Sequence, residues 1–159
     1  MQDIINIQDI FAKFNIVKTK ISLNNNQVFL AFDYGTKRIG VACGNLITSS
    51  AYPVSILSYS TRLDRFNQLK NVIQEYSPNY IIVGLPMYTD GTAHILTRAC
   101  CNFGLDLYRY FNIPIIWVDE RYSTSILSKK YKQYIDDQSA KLILEQFLQD
   151  CSSDYFSLT

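Results

Sequence analysis

The sequence predicts an α/β protein with a mixed five-stranded sheet, in which three antiparallel strands are followed by two parallel strands and the sheet is flanked by helices. Three apolar segments separated by short turns lie between residues 27 and 57, which is typical of an antiparallel meander. After residue 60, two short apolar segments alternate with amphipathic helical segments. That alternation indicates parallel strands joined by right-handed crossovers.

The first three strands are identified by their composition. Residues 27–32 are apolar with almost no alternation, so we expect this strand to be covered on both faces. The second strand, at 39–43, follows a turn bracketed by Gly35 and Gly40. The third covers 51–57, where Pro53 favours a position at the edge of the sheet because proline has no N–H to donate.

The second half of the chain alternates helices and strands. Apolar residues recur at helical spacing in 61–76 and 93–111, and short apolar strands follow each helix at 80–83 and 114–118. Ser123 or Thr124 is expected to cap a short helix that reaches about residue 131, and a last helix is expected over 136–150. This order of elements is the ribonuclease H-like arrangement.

A chain of 159 residues predicts one domain, which we place at residues 27–151. Residues 1–26 form an N-terminal extension, and the spacing of apolar residues between Ile4 and Phe14 favours a short helix there. Residues 152–159 are expected to form a frayed C-terminal tail. The N-terminus has no continuous apolar run, so we expect neither a membrane segment nor a secretory signal, and we expect a cytoplasmic protein.

Charge and cysteine content exclude several classes of function. The net charge is +1, so a nucleic-acid surface would have to be a local patch. None of the four cysteines lies in a C-x-x-C pair, which argues against a zinc site or a thioredoxin motif and favours reduced thiols. The single histidine, His94, lies beside a turn and is expected to be solvated rather than to act as a general base.

Three acids lie where predicted elements begin or end. Asp33 closes the first strand, Glu120 follows the last apolar strand, and Asp136 opens the final helix. Ligand sites of open α/β sheets gather at the carboxyl ends of strands, and converging carboxylates favour a hard divalent cation such as Mg²⁺. Two such ions would suit phosphodiester hydrolysis, with Lys37, Arg38 and Arg121 holding backbone phosphates.

Each acid also has a simpler interpretation. Asp33 could be a turn residue, Asp136 a helix cap, and Glu120 the partner of a surface base. The segment Asp33-Tyr-Gly-Thr36 also resembles the first phosphate loop of the actin and Hsp70 superfamily, but those ATP-binding proteins need a second, duplicated domain that 159 residues cannot supply. A non-catalytic nucleic-acid-binding module is the remaining alternative.

Five sequence blocks, taken together, resemble the YqgF family of ribonuclease H-like bacterial proteins, described as pre-16S rRNA nucleases and earlier as Holliday junction resolvases. The resemblance extends over residues 28 to 150 and includes every block in order. The blocks are Ala31–Ala42, Ile82–Pro86, Asp90-Gly91, Val118–Thr124 and Asp136–Leu144. The chain departs from the family at Gly44-Asn45, where members often carry Ser-Asp.

The resemblance implies a nuclease that uses Mg²⁺ or Mn²⁺ to process the 5′ end of pre-16S rRNA, or the same chemistry on branched DNA. It implies metal binding and catalysis by Asp33, Glu120 and Asp136, with Asp136 preferred over Asp137 by its spacing to Ile143-Leu144. Its implied partners are precursor rRNA, branched DNA and a pre-ribosomal particle, for a monomer or a homodimer. The residues matched to nucleic-acid binding are Lys37, Arg38, Arg121 and Thr124.

Overall fold

The structure, a computed structural model, describes residues 12, 17–20, 23–88, 90, 94–120, 136–150 and 155–158. The strands are β1 (Val17–Lys20), β2 (Val28–Tyr34), β3 (Arg38–Asn45), β4 (Ser50–Ser58), β5 (Tyr80–Leu85), β6 (Ile115–Asp119) and β7 (Tyr155–Leu158). The helices of these ranges longer than one turn are α1 (Arg62–Tyr76), α2 (Thr97–Phe111) and α3 (Asp136–Gln149). None of the helices in the described ranges has both the length and the apolar character needed to cross a membrane.

The strands form one sheet in the order β1-β7-β6-β5-β2-β3-β4. The pairs β2–β3 and β3–β4 are antiparallel, whereas β2–β5 and β5–β6 are parallel. The five predicted strands, their directions and the ribonuclease H-like arrangement are therefore confirmed. β4 is an edge strand, as Pro53 indicated, and the β3–β4 register shifts between Val41 and Ala42, where Ala42 pairs with Pro53.

Two further strands, β1 and β7, extend the five predicted strands to a sheet of seven. β7 lies antiparallel to β6, and β1 lies antiparallel to β7, so the two ends of the chain cover the edge that β6 would otherwise expose. The tail was expected to fray, but residues 155–158 are a strand. The helix expected between residues 4 and 14 lies, except for residue 12, outside the described residues, as does the helix expected over 123–131.

Both faces of the central strands are covered. Phe29, Leu30, Ala31 and Phe32 of β2 are completely buried, as the lack of alternation in this segment predicted. Successive side chains of a strand point to opposite faces. Alternate β2 residues accordingly belong to two apolar clusters: Leu30 and Phe32 lie with α1 and α2, whereas Phe29 and Ala31 lie with α3.

The first two helices begin at residues with clear local contacts. α1 starts as predicted, since the Thr61 side chain accepts a hydrogen bond from the Asp64 N–H at 3.1 Å. α2 starts at Thr97, four residues later than predicted, because the preceding residues form a turn in which the Leu96 N–H donates to His94 Nδ1 at 3.1 Å. The buried Thr97 hydroxyl donates to the Pro86 carbonyl and ties the helix start to the end of β5.

Gly104 lets α2 lie close to β6. A Cβ added at Gly104 would overlap the Trp117 ring, with Cζ3 at 2.8 Å and Cζ2 at 3.1 Å. Both residues are buried, so the ring has little room to move aside. The glycine in the middle of a helix is explained by this close approach.

We expect Gly104→Ala to destabilise the protein although alanine has the higher helix propensity. Overpacking a filled core costs about 1–3 kcal/mol, which exceeds the roughly 0.8–1.0 kcal/mol gained in propensity. The measurement is the thermal melting temperature. Asn102→Ala, at an exposed site on the same helix, is the control and should leave the melting temperature unchanged or slightly raised. An equal rise in melting temperature for both variants would contradict the close approach of α2 to Trp117 at Gly104.

Candidate active site

Asp33 and Glu120 lie at the same edge of the sheet. Asp33 is the penultimate residue of β2, and Glu120 directly follows β6. β5 lies between these two strands and pairs in parallel with both. The register pairs Phe32 with Val83 and Val83 with Trp117, so the carboxyl ends of all three strands meet at one edge. This placement agrees with the general location of ligand sites in open α/β sheets.

The two acids also belong to the same face of the sheet. Asp33 is two residues from Ala31, and Glu120 is two residues from Val118, and both of these apolar residues pack in the cluster that contains α3. Because side chains alternate along a strand, Asp33 and Glu120 continue the α3 face beyond the apolar core. Both residues are half-buried. The strand pattern therefore directs two carboxylates into one region.

Gly84 makes room for the Glu120 carboxylate. A Cβ added at Gly84, near the end of β5, would overlap Glu120 Oε1 and would lie 3.0 Å from Glu120 Cδ and 2.7 Å from Ile143 Cδ1. The carboxylate therefore rests on the backbone of the strand that separates β6 from β2. This brings the charge of Glu120 back across β5, in the direction of Asp33.

The charges of Asp33 and Glu120 both affect the pKa of the buried Cys100 thiol. Burial raises the pKa of Cys100 far above its ordinary value, and the charges of Glu120 and then Asp33 raise it further. Negative charges oppose thiolate formation only when they are close enough to interact through a poorly solvated region. The hydrogen bond from Thr97 to the Pro86 carbonyl places the start of α2 beside the end of β5, near the same acidic edge, and burial there favours the neutral thiol of Cys100.

The direction of α3 brings its first residue toward this edge. Phe147 packs edge-on against Phe29 at the start of β2, with ring centroids 5.1 Å apart. Ile143, one turn earlier, lies beside Gly84 at the carboxyl ends of the strands. α3 thus runs against the direction of β2. Asp136 begins the helix two turns, or about 10 Å, before Ile143, so its backbone lies at the acidic end.

The turn after Asp33 carries the predicted bases. Residues 33–38 line a polar depression of about 260 Å³. Lys37 and Arg38 are exposed there, next to Asp33. The turn is tight, since a Cβ at Gly35 would lie 2.6 Å from the Arg38 carbonyl oxygen. Positive side chains thus flank the first predicted metal ligand.

Tyr59, just beyond β4, holds this turn from the other side. Its hydroxyl donates to the Gly35 carbonyl at 3.0 Å and reaches the Thr36 carbonyl at 3.2 Å. Burial raises the pKa of the neighbouring Tyr34, and the charge and hydrogen bond of Tyr59 contribute to the rise. Neither the hydrogen bonds of Tyr59 nor the space at Gly84 was predicted from the sequence. The only sequence signal for Gly84 was its position in the Ile82–Pro86 block.

The other predicted site residues have different outcomes. Arg121 and Thr124 lie outside the described residues, and of Asp136 only the backbone position in α3 is described. Their roles stay predictions. His94 is half-buried, and its Nδ1 accepts the Leu96 N–H while its ring lies 5.0 Å from that of Tyr88. His94 is thus partly exposed to solvent and also helps to shape the turn before α2.

The donor set at the acidic edge suits a hard cation. Among the side chains that the structure describes, no three His, Cys, Asp or Glu residues are grouped to hold a metal. The predicted third ligand, Asp136, is not one of those side chains. Asp33 and Glu120 offer only carboxylate oxygens, which are the ligands that Mg²⁺ and Mn²⁺ prefer. Gly84 leaves space above the strand for the Glu120 carboxylate.

Comparisons with known structures identify the same fold. The chain is similar to the structure of Thermus thermophilus RuvC in complex with a Holliday junction substrate, with a TM-score of 0.57 and 10% identity over 83% of this chain and 99% of that one. A second Thermus thermophilus RuvC structure gives a TM-score of 0.56 at 10% identity, over 82% of this chain and 99% of that one. At this identity the likeness establishes the ribonuclease H-like fold.

Sequence comparisons establish the family. The model of the family RuvX, described as Holliday junction resolvase, matches residues 27–150. A protein of Paraburkholderia xenovorans named "Putative pre-16S rRNA nuclease" is 40% identical over 141 residues, covering 85% of this chain and 97% of the relative. A relative of the same name from Paraburkholderia phymatum is 42% identical over 129 residues, covering 77% of this chain and 85% of the relative. The chain therefore belongs to the RuvX (YqgF) family, whose members are nucleases acting on phosphodiester bonds.

Proposed function

We propose that this protein is a cytoplasmic, divalent-metal-dependent nuclease that processes the 5′ end of pre-16S rRNA. The observation that carries the proposal is the Glu120 carboxylate resting on Gly84, on the face and edge of the sheet to which Asp33 also belongs. Two carboxylates that share one half-buried region provide the oxygen donors that a hard divalent cation prefers. The names of the relatives support the choice of RNA.

Asp33, Glu120 and Asp136 are the proposed catalytic residues and would hold Mg²⁺ or Mn²⁺. When bound, such a cation neutralises phosphate charge and lowers the pKa of a coordinated water. Asp33 and Glu120 approach from β2 and β6, and Asp136 would approach from the N-terminal end of α3. Carboxylates carried by three separate elements fix the position of the reacting phosphate more firmly than a flexible loop would.

Basic residues next to the carboxylates would hold the polynucleotide. Lys37 and Arg38 are exposed on the turn after Asp33, and Tyr59 fixes the backbone of that turn. Phosphate contacts of this kind set the register of the strand without reading its sequence. Arg121 and Thr124 are proposed to contribute to the same surface. The pre-ribosomal particle is the proposed setting of the reaction.

Branched DNA is the second candidate substrate, because the family model is described as Holliday junction resolvase. A four-way junction is two-fold symmetric, so its cleavage favours a homodimer. Precursor rRNA has no such symmetry and suits a monomer equally well. Size-exclusion chromatography with light scattering therefore bears on the choice between the two substrates.

We expect Asp33→Asn, Glu120→Gln and Asp136→Asn each to lower cleavage of a 5′-extended pre-16S rRNA fragment by roughly 100-fold or more, because a metal-bound transition state is stabilised by several kcal/mol. The assay compares Mg²⁺, Mn²⁺ and EDTA and includes a four-way DNA junction. Asp137→Asn is the matched control at the same end of α3 and should stay active. If all three variants fold and cleave like the unmodified protein, the assignment of ligands is wrong.

We expect Gly84→Ala to lower cleavage by roughly 100-fold, because the new methyl group displaces the Glu120 carboxylate and ångström-scale misplacement of a catalytic group has such an effect. The methyl group also meets Ile143 Cδ1. The double variant Gly84→Ala/Ile143→Val removes that atom, so it should recover melting temperature without recovering activity. Recovery of activity together with stability would show that Gly84 serves packing alone.

We expect Tyr59→Phe to fold normally and to lower kcat/KM by up to about tenfold, because it removes a hydrogen bond to the basic turn worth about 1 kcal/mol. The ring, and with it the contact to Arg65, is retained. Tyr108→Phe, on an exposed part of α2, is the control and should have no effect. Unchanged kcat/KM for Tyr59→Phe would mean that the turn keeps its shape without this hydroxyl.

A further inference from the structure

A groove of about 300 Å³ lies between α1 and α2, on the sheet face opposite α3. Its walls are formed by arginines of α1, by aromatic side chains of both helices and by leucines between them. The predicted metal ligands do not line it, and no residue of it was singled out as functional in the sequence. The groove is therefore separate from the acidic edge, and its chemistry differs.

The groove carries an excess of positive charge. Asp106 is the single acid in its lining, and it lies 3.7 Å from Arg62, 3.9 Å from Arg65 and 3.8 Å from Arg109. Arg62 and Arg65 against Asp106 give the lining a net charge of +1, and Arg109, which lies beside the groove rather than in its lining, brings the local charge to +2. The side chains of Arg62 and Arg109 are 80% and 71% exposed, so these long ion pairs with Asp106 are weak and can be exchanged for an anionic ligand.

The aromatic wall of the groove presents flat apolar surfaces. The Phe66 ring lies 5.7 Å from the Phe111 ring at an interplanar angle of 11°, and it meets the Tyr110 ring edge-on at 5.0 Å. Tyr110 is 61% exposed although its ring is large and apolar. The exposed Tyr110 ring and the half-buried Phe66 ring lie beside arginines, and such surfaces let nucleic-acid bases stack while the phosphates are neutralised.

Two side-chain contacts, both largely buried, link the groove to the basic turn. Phe103, in the groove lining, stacks on Tyr34 with ring centroids 4.8 Å apart, and Tyr34 is the residue after Asp33. Arg65, also in the lining, lies over the Tyr59 ring at 5.7 Å, and Tyr59 holds the backbone of the turn. The groove and the basic turn are therefore neighbours on the α1–α2 side, so a polyanion several nucleotides long that is seated on Lys37 and Arg38 can extend to the groove.

We infer that this groove binds a single-stranded flank of the RNA that the acidic edge cleaves. The inference rests on the proposed nuclease function. Tyr110 and Phe66 stack on one or two bases, while Arg62 and Arg109 contact the phosphates that join them. A second copy of the chain suits the groove less well, because a two-fold contact would place one group of arginines against the same group on the partner. An acidic protein segment would account for the charge but not for the contacts that link the groove to the turn.

The test measures binding of fluorescein-labelled single-stranded RNA by fluorescence anisotropy, in EDTA so that cleavage is suppressed. It compares a short RNA of about 6 nucleotides, which covers the acidic edge, with one of about 16 nucleotides, which also reaches the groove. The variants are Arg62→Gln/Arg109→Gln and Tyr110→Ala. The matched controls are Lys70→Gln on α1 and Tyr108→Ala on α2, both exposed and outside the groove.

We expect the unmodified protein to bind the longer RNA more tightly, and both groove variants to lose that gain while binding the short RNA normally. Tyr110→Ala should weaken binding of the longer RNA roughly tenfold, as for one lost stacking contact. The double arginine variant should reduce the slope of log K against log salt concentration by about 1.4, that is about 0.7 per lost phosphate contact. The control variants should behave like the unmodified protein.

Other results overturn the inference in distinguishable ways. If the unmodified protein cleaves RNA with Mg²⁺ but the groove variants bind long RNA as it does, the groove is not part of the RNA site and the nuclease proposal stands. If the unmodified protein neither binds nor cleaves RNA, both proposals fail together. If light scattering gives a dimer that the groove variants convert to monomer, a second copy occupies the groove.

Discussion

The parallel pairing of β2, β5 and β6 is the constraint on which the rest of the structure depends. Parallel strands end on the same side, so two acids separated by most of the domain in sequence reach one edge without any direct contact being specified. Neighbouring strands lie about 4.8 Å apart, and the intervening β5 would keep the carboxylates separated by two such steps. Gly84 removes the side chain that would stand between them.

Side chains alternate along β2, so its last two residues, Asp33 and Tyr34, lie on opposite faces of the sheet. Asp33 belongs to the α3 face with the acidic edge, and Tyr34 belongs to the opposite face, where it stacks on Phe103. A single strand end therefore supplies a carboxylate to one face and an aromatic contact to the other. The basic turn that follows connects the two faces, and Tyr59 fixes its backbone.

The order of elements along the chain and the ends of the five central strands could be predicted from the sequence, because burial on both faces and breaks at glycine and proline are local signals. The positions of Asp33 and Glu120 at strand ends could be predicted for the same reason. Contacts between distant segments could not be predicted: the space at Gly84 depends on Glu120 and Ile143, and the bonds of Tyr59 depend on the path of β4. β1 and β7 were missed because each has four residues and pairs with the opposite end of the chain.

The acidic edge lies against apolar residues, and this has an energetic consequence. Val118 and Ile143 are buried directly beside the position of Glu120, and the thiol of Cys100 is held neutral by burial and by both acids. Carboxylates in such surroundings are only partly solvated, so the hydrogen bonds and charges around them act more strongly than at an open surface. The arrangement is understandable if the site is used with a counter-charge, since the same partial solvation strengthens every interaction that a bound cation and phosphate would make.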